Sequence, residues 1–142
     1  MLSLRLVLDT NILVSAALKP DSLQRTTLIL ALTQPARLYV SPAILAEYRD
    51  VLSRKELRIR KGVRLQLLQL IRNRSYLIHP VHRLDVCPDP DDNRFLESAD
   101  RAGADYLVTG NRRHFPAFWK KTKIISSRDF ITLAAPHLLS NG

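Results

Sequence analysis

Three carboxylates in this chain stand where folding alone does not ask for an acid. Asp9 follows directly on the apolar run Leu4-Arg5-Leu6-Val7-Leu8. A plain turn or helix cap would explain it, but Thr10 and Asn11 beside it cap equally well. Glu47 lies in a helical stretch where its neighbours three and four residues away are Ala43, Ile44, Asp50 and Val51, so no local cation pairs with it. It shares a face with Ile44 and Val51 and points inward, where an unpaired carboxylate is costly unless a cation or a distant arginine meets it. Asp92, within Asp89-Pro90-Asp91-Asp92-Asn93, shares a helical stripe with Phe95, Leu96 and Ala99, whereas Glu97 falls with Arg94, Asp100 and Arg101 on the face read as outward. Some acids of that run suit a helix start, where negative charge meets free N–H groups. The run opens like a calcium loop, but its sixth position is Arg94 where glycine is needed, and that reading fails. If Asp9, Glu47 and Asp92 converge, their repulsion calls for a cation. An all-oxygen ligand set points to Mg²⁺ or Mn²⁺, ions that serve phosphodiester hydrolysis by activating water and neutralising phosphate charge.

The elements that must position these groups alternate between short apolar runs and helix-period segments. Strands are expected at 4–8, 38–40, 76–78, 106–109 and 123–125. Helices are expected at 12–18, ended by Pro20, at 22–34, from the Ser41-Pro42 start to Leu52, through the basic stretch carrying Val63, Leu67, Leu70 and Ile71, at 91–102, and from Ser127 to the break at Pro136. Residues 79–90 read as a connection. Strands separated by helices predict an α/β fold, a three-layer α/β/α sandwich around a mainly parallel sheet, in one domain over 1–142. In such a sheet ligands gather beyond the carboxyl ends of the strands, where Asp9 is placed.

Composition narrows the classes further. The 142 residues are 46% hydrophobic, enough for a core without disulfides, and Cys87 alone excludes a disulfide framework. The start of the sequence lacks the pattern of a signal peptide and no run is long enough to span a membrane, so a cytoplasmic location is expected. There are 22 basic and 13 acidic residues, a net +9, which favours polyanionic partners. Seven basic residues lie between Arg49 and Arg64, and a solvated helical face explains them as well as RNA does. A second stretch carries Arg112, Arg113, Lys120 and Lys121 among Phe115, Phe118 and Trp119, a mixture suited to single-stranded RNA, although the rings serve equally as core. His79, His82 and Cys87 lack a fourth partner and the usual zinc spacing. Removing the three candidate site acids leaves ten against 22, a basic shell of +12 around an acidic spot.

Taken in order, the strand ending in Asp9-Thr10-Asn11, Glu47, Asp92-Asn93-x-Phe95-Leu96-Glu97-x-Ala99, and Tyr106-Leu107-Val108-Thr109-Gly110-Asn111 resemble the PIN-domain ribonucleases, and within them the VapC-like toxins of toxin-antitoxin pairs. The resemblance spans nearly the whole chain. It implies RNA as substrate, a divalent metal held by Asp9, Glu47 and Asp92, Thr10 and Thr109 as hydroxyls that orient water, a small antitoxin as partner, and a homodimer. Family members place a fourth acid after the Thr-Gly pair, and here that position is Asn111, which can position water but carries no charge. Two other readings stand beside it: a weak or inactive domain that binds RNA or antitoxin, and an Asp-nucleophile phosphatase-like hydrolase built on Asp9.

Overall fold

The computed structural model describes residues 3–139. Strand β1 (Arg5–Leu8) leads into helix α1 (Thr10–Leu18), and α2 (Leu23–Ala31) follows, capped by Ser22. Next come β2 (Arg37–Val40), α3 (Pro42–Leu52), α4 (Lys61–Arg74) and β3 (Tyr76–Leu77). After the long connection come α5 (Asn93–Ala102), β4 (Tyr106–Val108), β5 (Phe118–Trp119), β6 (Thr122–Ile125) and α6 (Ser127–Ala134). The sheet order is β3-β2-β1-β4-β6-β5, parallel throughout except for β5 against β6.

Leu6, Val7 and Leu8 are consecutive and all fully buried. Neighbouring side chains of a strand point to opposite faces, so both faces of the sheet are covered by helices, the expected three-layer arrangement. Ser41 caps α3 by accepting from the Ile44 N–H at 3.1 Å, with Pro42 at the first helical position. Gly103, at φ 59°, closes α5 in the left-handed conformation that glycine adopts without strain. Tyr48, Phe95 and Phe130 are the largest fully buried side chains, and Phe95 meets Phe115 edge to face at 6.4 Å between ring centres.

Four expectations need correction. The first helix begins at Thr10 rather than Ile12, because Asp9 itself caps it. The second ends at Ala31. The acidic run before α5 is a separate 3-10 turn, Pro90–Asp92, with Asp89 accepting from the Asp91 N–H at 3.0 Å. Strand β5 was not expected at all: two residues long and at the sheet edge, it has no run of alternation to announce it. Among the described residues no helix is long and apolar enough to cross a membrane.

Candidate active site

The site sits where β1 and β4 end together. Leu8 pairs with Val108, so the next residues, Asp9 and Thr109, arrive side by side at the carboxyl edge of the sheet. The Asp9 N–H continues the ladder to the Val108 carbonyl at 3.0 Å. Asp9 is buried, and both of its oxygens are engaged: Oδ1 accepts from the Thr10 N–H at 2.8 Å and Oδ2 from the Thr109 hydroxyl at 2.7 Å. Cap and site acid are therefore the same residue. Burial raises its pKa, and the Thr109 hydrogen bond works against that rise.

Glu47 comes from the middle of α3. Its Oε2 accepts a short hydrogen bond from the Thr10 hydroxyl, and its Oε1 lies 3.7 Å from Arg94 Nη1. A distant arginine thus meets this inward acid, and the charges of Asp9 and Asp91 also act on it. Burial raises its pKa above the ordinary value; Thr10 and Arg94 lower it, and the charge of Asp9 raises it again. Behind it the fully buried Tyr48 donates to the Leu8 carbonyl at 2.5 Å, tying α3 to the end of β1.

Asp92 enters from the turn before α5, with its side chain 15% exposed. Its Oδ2 is buried and accepts no hydrogen bond; His114 Nδ1 faces it at 3.6 Å. Burial, then the charges of Asp9 and Asp89, push its pKa up to about 6, with His114 opposing them. An ionised oxygen shut away from water and without a donor is costly. Glu47, Asp92, Asp89 and Asp91 line a crevice of about 370 Å³ with Thr10, Asn11 and Arg54; Asp9 is not part of that lining and is tied to it through the Thr10 N–H. Among the described residues no three His, Cys, Asp or Glu side chains close on one centre. The three acids sense each other's charge across the crevice without touching. Their oxygen-only chemistry and the orphaned Asp92 Oδ2 fit a hard divalent cation.

The remaining candidates separate. Asn111 is exposed; its N–H donates to the Thr109 hydroxyl at 3.0 Å, which completes the chain Asn111–Thr109–Asp9. Arg112 and Arg113 follow it along an open groove of about 810 Å³ that also takes in His114, and Arg112 lies 3.6 Å from Asp129. Lys120 and Lys121 are not in this neighbourhood. The β5–β6 turn carries them to the amino edge of the sheet, where Lys120 binds Asp100 at 2.6 Å and Lys121 lies 3.9 Å from Asp105. Nor does the face of Glu97 look outward. Glu97 accepts from the Leu84 N–H at 2.8 Å, because the 79–90 connection folds back over α5.

Four further residues support the site. Arg94 lies on the face of α5 whose polarity marks it as outward. Asn11 accepts from the Gly110 N–H at 3.1 Å, so it ties down the turn after β4. Buried Asn93 accepts from the Val86 and Cys87 N–H groups at 3.0 and 2.9 Å, fixing the approach to Asp92. His114 faces Asp92 only because Phe115 anchors in the core. Of these, Asn11 and Asn93 were legible as asparagines beside the site acids, positions where a side-chain amide commonly ties down local backbone.

The sequence model of the PIN domain family matches residues 5–113. An uncharacterized protein of Methanocaldococcus jannaschii is 29% identical over 114 residues, which cover 78% of this chain and 73% of that protein. Among solved structures, that of VapBC2 from Rickettsia felis bound to a DNA fragment from their promoter matches with a TM-score of 0.59 at 19% identity. The match covers 86% of this chain and 98% of that one, and the likeness is one of fold. The family match extends over β1 to the turn after β4 and so contains Asp9, Glu47, Asp92 and Asn111, and the chain belongs to the PIN domain family.

Proposed function

We propose that this chain is a ribonuclease dependent on Mg²⁺ or Mn²⁺, and that it acts as the toxin of a toxin-antitoxin pair. The observation that carries the nuclease reading is the buried, unbonded Oδ2 of Asp92, held beside Asp9 and Glu47 at the carboxyl edge of the sheet. Asp9 and Asp92 would hold the ion, with Glu47 beside it. When bound, such an ion neutralises phosphate charge and acidifies water. The residues of the chain do the rest. Thr10 holds Asp9 through its N–H and Glu47 through its hydroxyl, so one residue sets the relative position of two acids. Thr109 and the Asn111 backbone fix the other side of Asp9. Glu47 offers a fixed acceptor for a proton of the attacking water, which adds to phosphorus as one P–O bond breaks. Arg112 and Arg113 draw the RNA backbone towards the crevice. An Asp9 nucleophile lacks the second Asp of the phosphatase pattern, since Asn11 stands there.

The toxin reading draws on the Rickettsia felis structure, whose title names a VapBC2 assembly. By that analogy a small antitoxin binds this chain; the family resemblance, not that structure, adds a homodimer in the cytoplasm. Asn111 favours one second reading, a domain that binds RNA or antitoxin and cleaves weakly, because the acid usual at this turn is absent. The test is cleavage of a single-stranded RNA panel in Mg²⁺ or Mn²⁺ by wild type, Asp9→Asn and Asn111→Asp. Loss of cleavage in Asp9→Asn supports the enzyme reading. Equal cleavage by wild type and Asp9→Asn overturns it, and cleavage seen only with Asn111→Asp selects the weak-domain reading.

A further inference from the structure

Arg94 makes four contacts that join α3 to the turn before α5. Its Nε donates to the Asp91 carbonyl at 2.8 Å, Nη2 to Asp91 Oδ1 at 3.1 Å, and Nη1 to the Ala43 carbonyl at 3.4 Å, while Nη1 also lies 3.7 Å from Glu47 Oε1. The side chain is 26% exposed, so this is a partly desolvated clamp between α3 and the turn before α5. A planar guanidinium presents five donors in a fixed fork, whereas an ammonium offers three around one rotatable point. The other oxygen of Glu47 is taken by Thr10. Glu47 is therefore gripped from both sides, whereas Asp92 Oδ2 is gripped from neither.

The charges are equally uneven. Asp9, Glu47 and Asp92 bring three negative charges when ionised, Asp89, Asp91 and Arg54 line the same crevice, and Arg94 sets one positive charge against Glu47 and Asp91. That charge weakens the pull of the acids on a second ion. Asn111, where an acid would add a fourth negative charge, points the same way.

Resting on the reading that these acids hold a divalent ion, we infer that Arg94 is a positioning residue that clamps Glu47 as an acceptor outside the metal's own shell and limits the site to a single ion. Removing it releases Glu47 to ligate. Arg94→Met then binds Mn²⁺ more tightly yet turns over more slowly, since the acceptor is no longer aimed.

The experiment titrates Mn²⁺ into the full, metal-free chain by water-proton relaxation, and separately measures RNA cleavage. Wild type should bind one ion. Arg94→Met should bind about tenfold more tightly, the scale set in water-like surroundings by taking one unit charge away from a divalent one, or should acquire a second ion, while kcat falls and KM holds. Arg94→Lys keeps the charge without the fork, so it should restore wild-type Mn²⁺ affinity but not kcat. Arg94→Gln carries the same test should the methionine variant fail to fold. Unchanged or weaker Mn²⁺ binding in Arg94→Met and Arg94→Gln, or two ions bound by wild type, overturns the inference while leaving the nuclease reading intact. Absence of Mn²⁺ binding by wild type overturns both.

Discussion

Asp92→Asn should make the metal-free protein more stable while abolishing its activity. In the fold, the Asp92 carboxyl is held up to about 6 against an ordinary 3.8, by burial first and then by Asp9 and Asp89. Ionising it therefore costs about 3 kcal/mol more in the folded chain than in the unfolded one. The sign follows from where the proton binds more tightly. Between pH 4 and 6 the folded chain takes up a proton that the unfolded chain has already lost, so the favourable contribution present below about 4 is lost as pH rises through 6. At pH 7.5 wild type carries the whole cost. Asparagine keeps the shape and removes the charge, but still leaves a buried polar atom without a partner, a penalty of about 1 kcal/mol. The expected net gain is about 2 kcal/mol.

Urea unfolding in EDTA at low salt measures this directly, at pH 7.5 and again at pH 4. The variant should be the more stable at pH 7.5, and the difference should shrink towards zero at pH 4. Mn²⁺ should then reverse the order: at a hundred times its dissociation constant it adds about 2.7 kcal/mol to wild type and little to the variant. A variant no more stable than wild type at pH 7.5, or one whose advantage is the same at both pH values, refutes the claim that Asp92 is an uncompensated charge awaiting a cation.

Other perturbations address the supports of the site. Tyr48→Phe removes only the hydroxyl that donates to the Leu8 carbonyl, so it should cost about 1 kcal/mol in urea unfolding and leave metal binding in place. Asn93→Ala strips the Val86 and Cys87 N–H groups of their acceptor; a loss of about 2–4 kcal/mol and faster hydrogen exchange at those two amides should follow. Thr109→Val leaves Asp9 Oδ2 without its donor in a buried site, which should lower kcat with a stability loss of about 1–2 kcal/mol; unchanged kcat would show that Asp9 is oriented by Thr10 alone. Arg113→Ala should weaken RNA binding and flatten its salt dependence, whereas Lys121→Ala should do neither, because the two lie at opposite edges of the sheet.

The sequence displayed the centre of this molecule better than its margins, for a physical reason. A parallel strand buried on both faces must be apolar at every position, so Leu6-Val7-Leu8 and Leu107-Val108 stand out as runs. The site acids stood out by the same logic reversed: an acid on an inward stripe without a local partner is an expense that needs an explanation. The method fails where a helical face is judged outward only because it is polar. Arg94, Glu97 and Asp100 lie on one such face of α5, and each is engaged by chain that is remote in sequence: Glu47 and Ala43, Leu84, and Trp119 with Lys120. Helical periodicity says which residues share a face and nothing about what returns to cover it.

The same blindness affected the basic stretch. Lys120 and Lys121 are eight or more residues on from Arg112, close enough in sequence to be read with it, but an edge hairpin of two-residue reach carries them to the other end of the sheet. There Lys120 holds the Asp100 carboxyl below its ordinary pKa, the mark of an ion pair already made within the fold. Ion pairing leaves the net charge of the chain unchanged but redistributes its field. Lys120 and Lys121 face Asp100 and Asp105, Arg94 faces Glu47 and Asp91, Arg112 faces Asp129 and Arg54 faces Asp50, so each of these charges is offset locally, whereas Arg113, in the exposed groove that begins at Asn111, makes no ion pair among the described residues. His114 belongs to that groove and also faces Asp92, so the groove leads towards the acids.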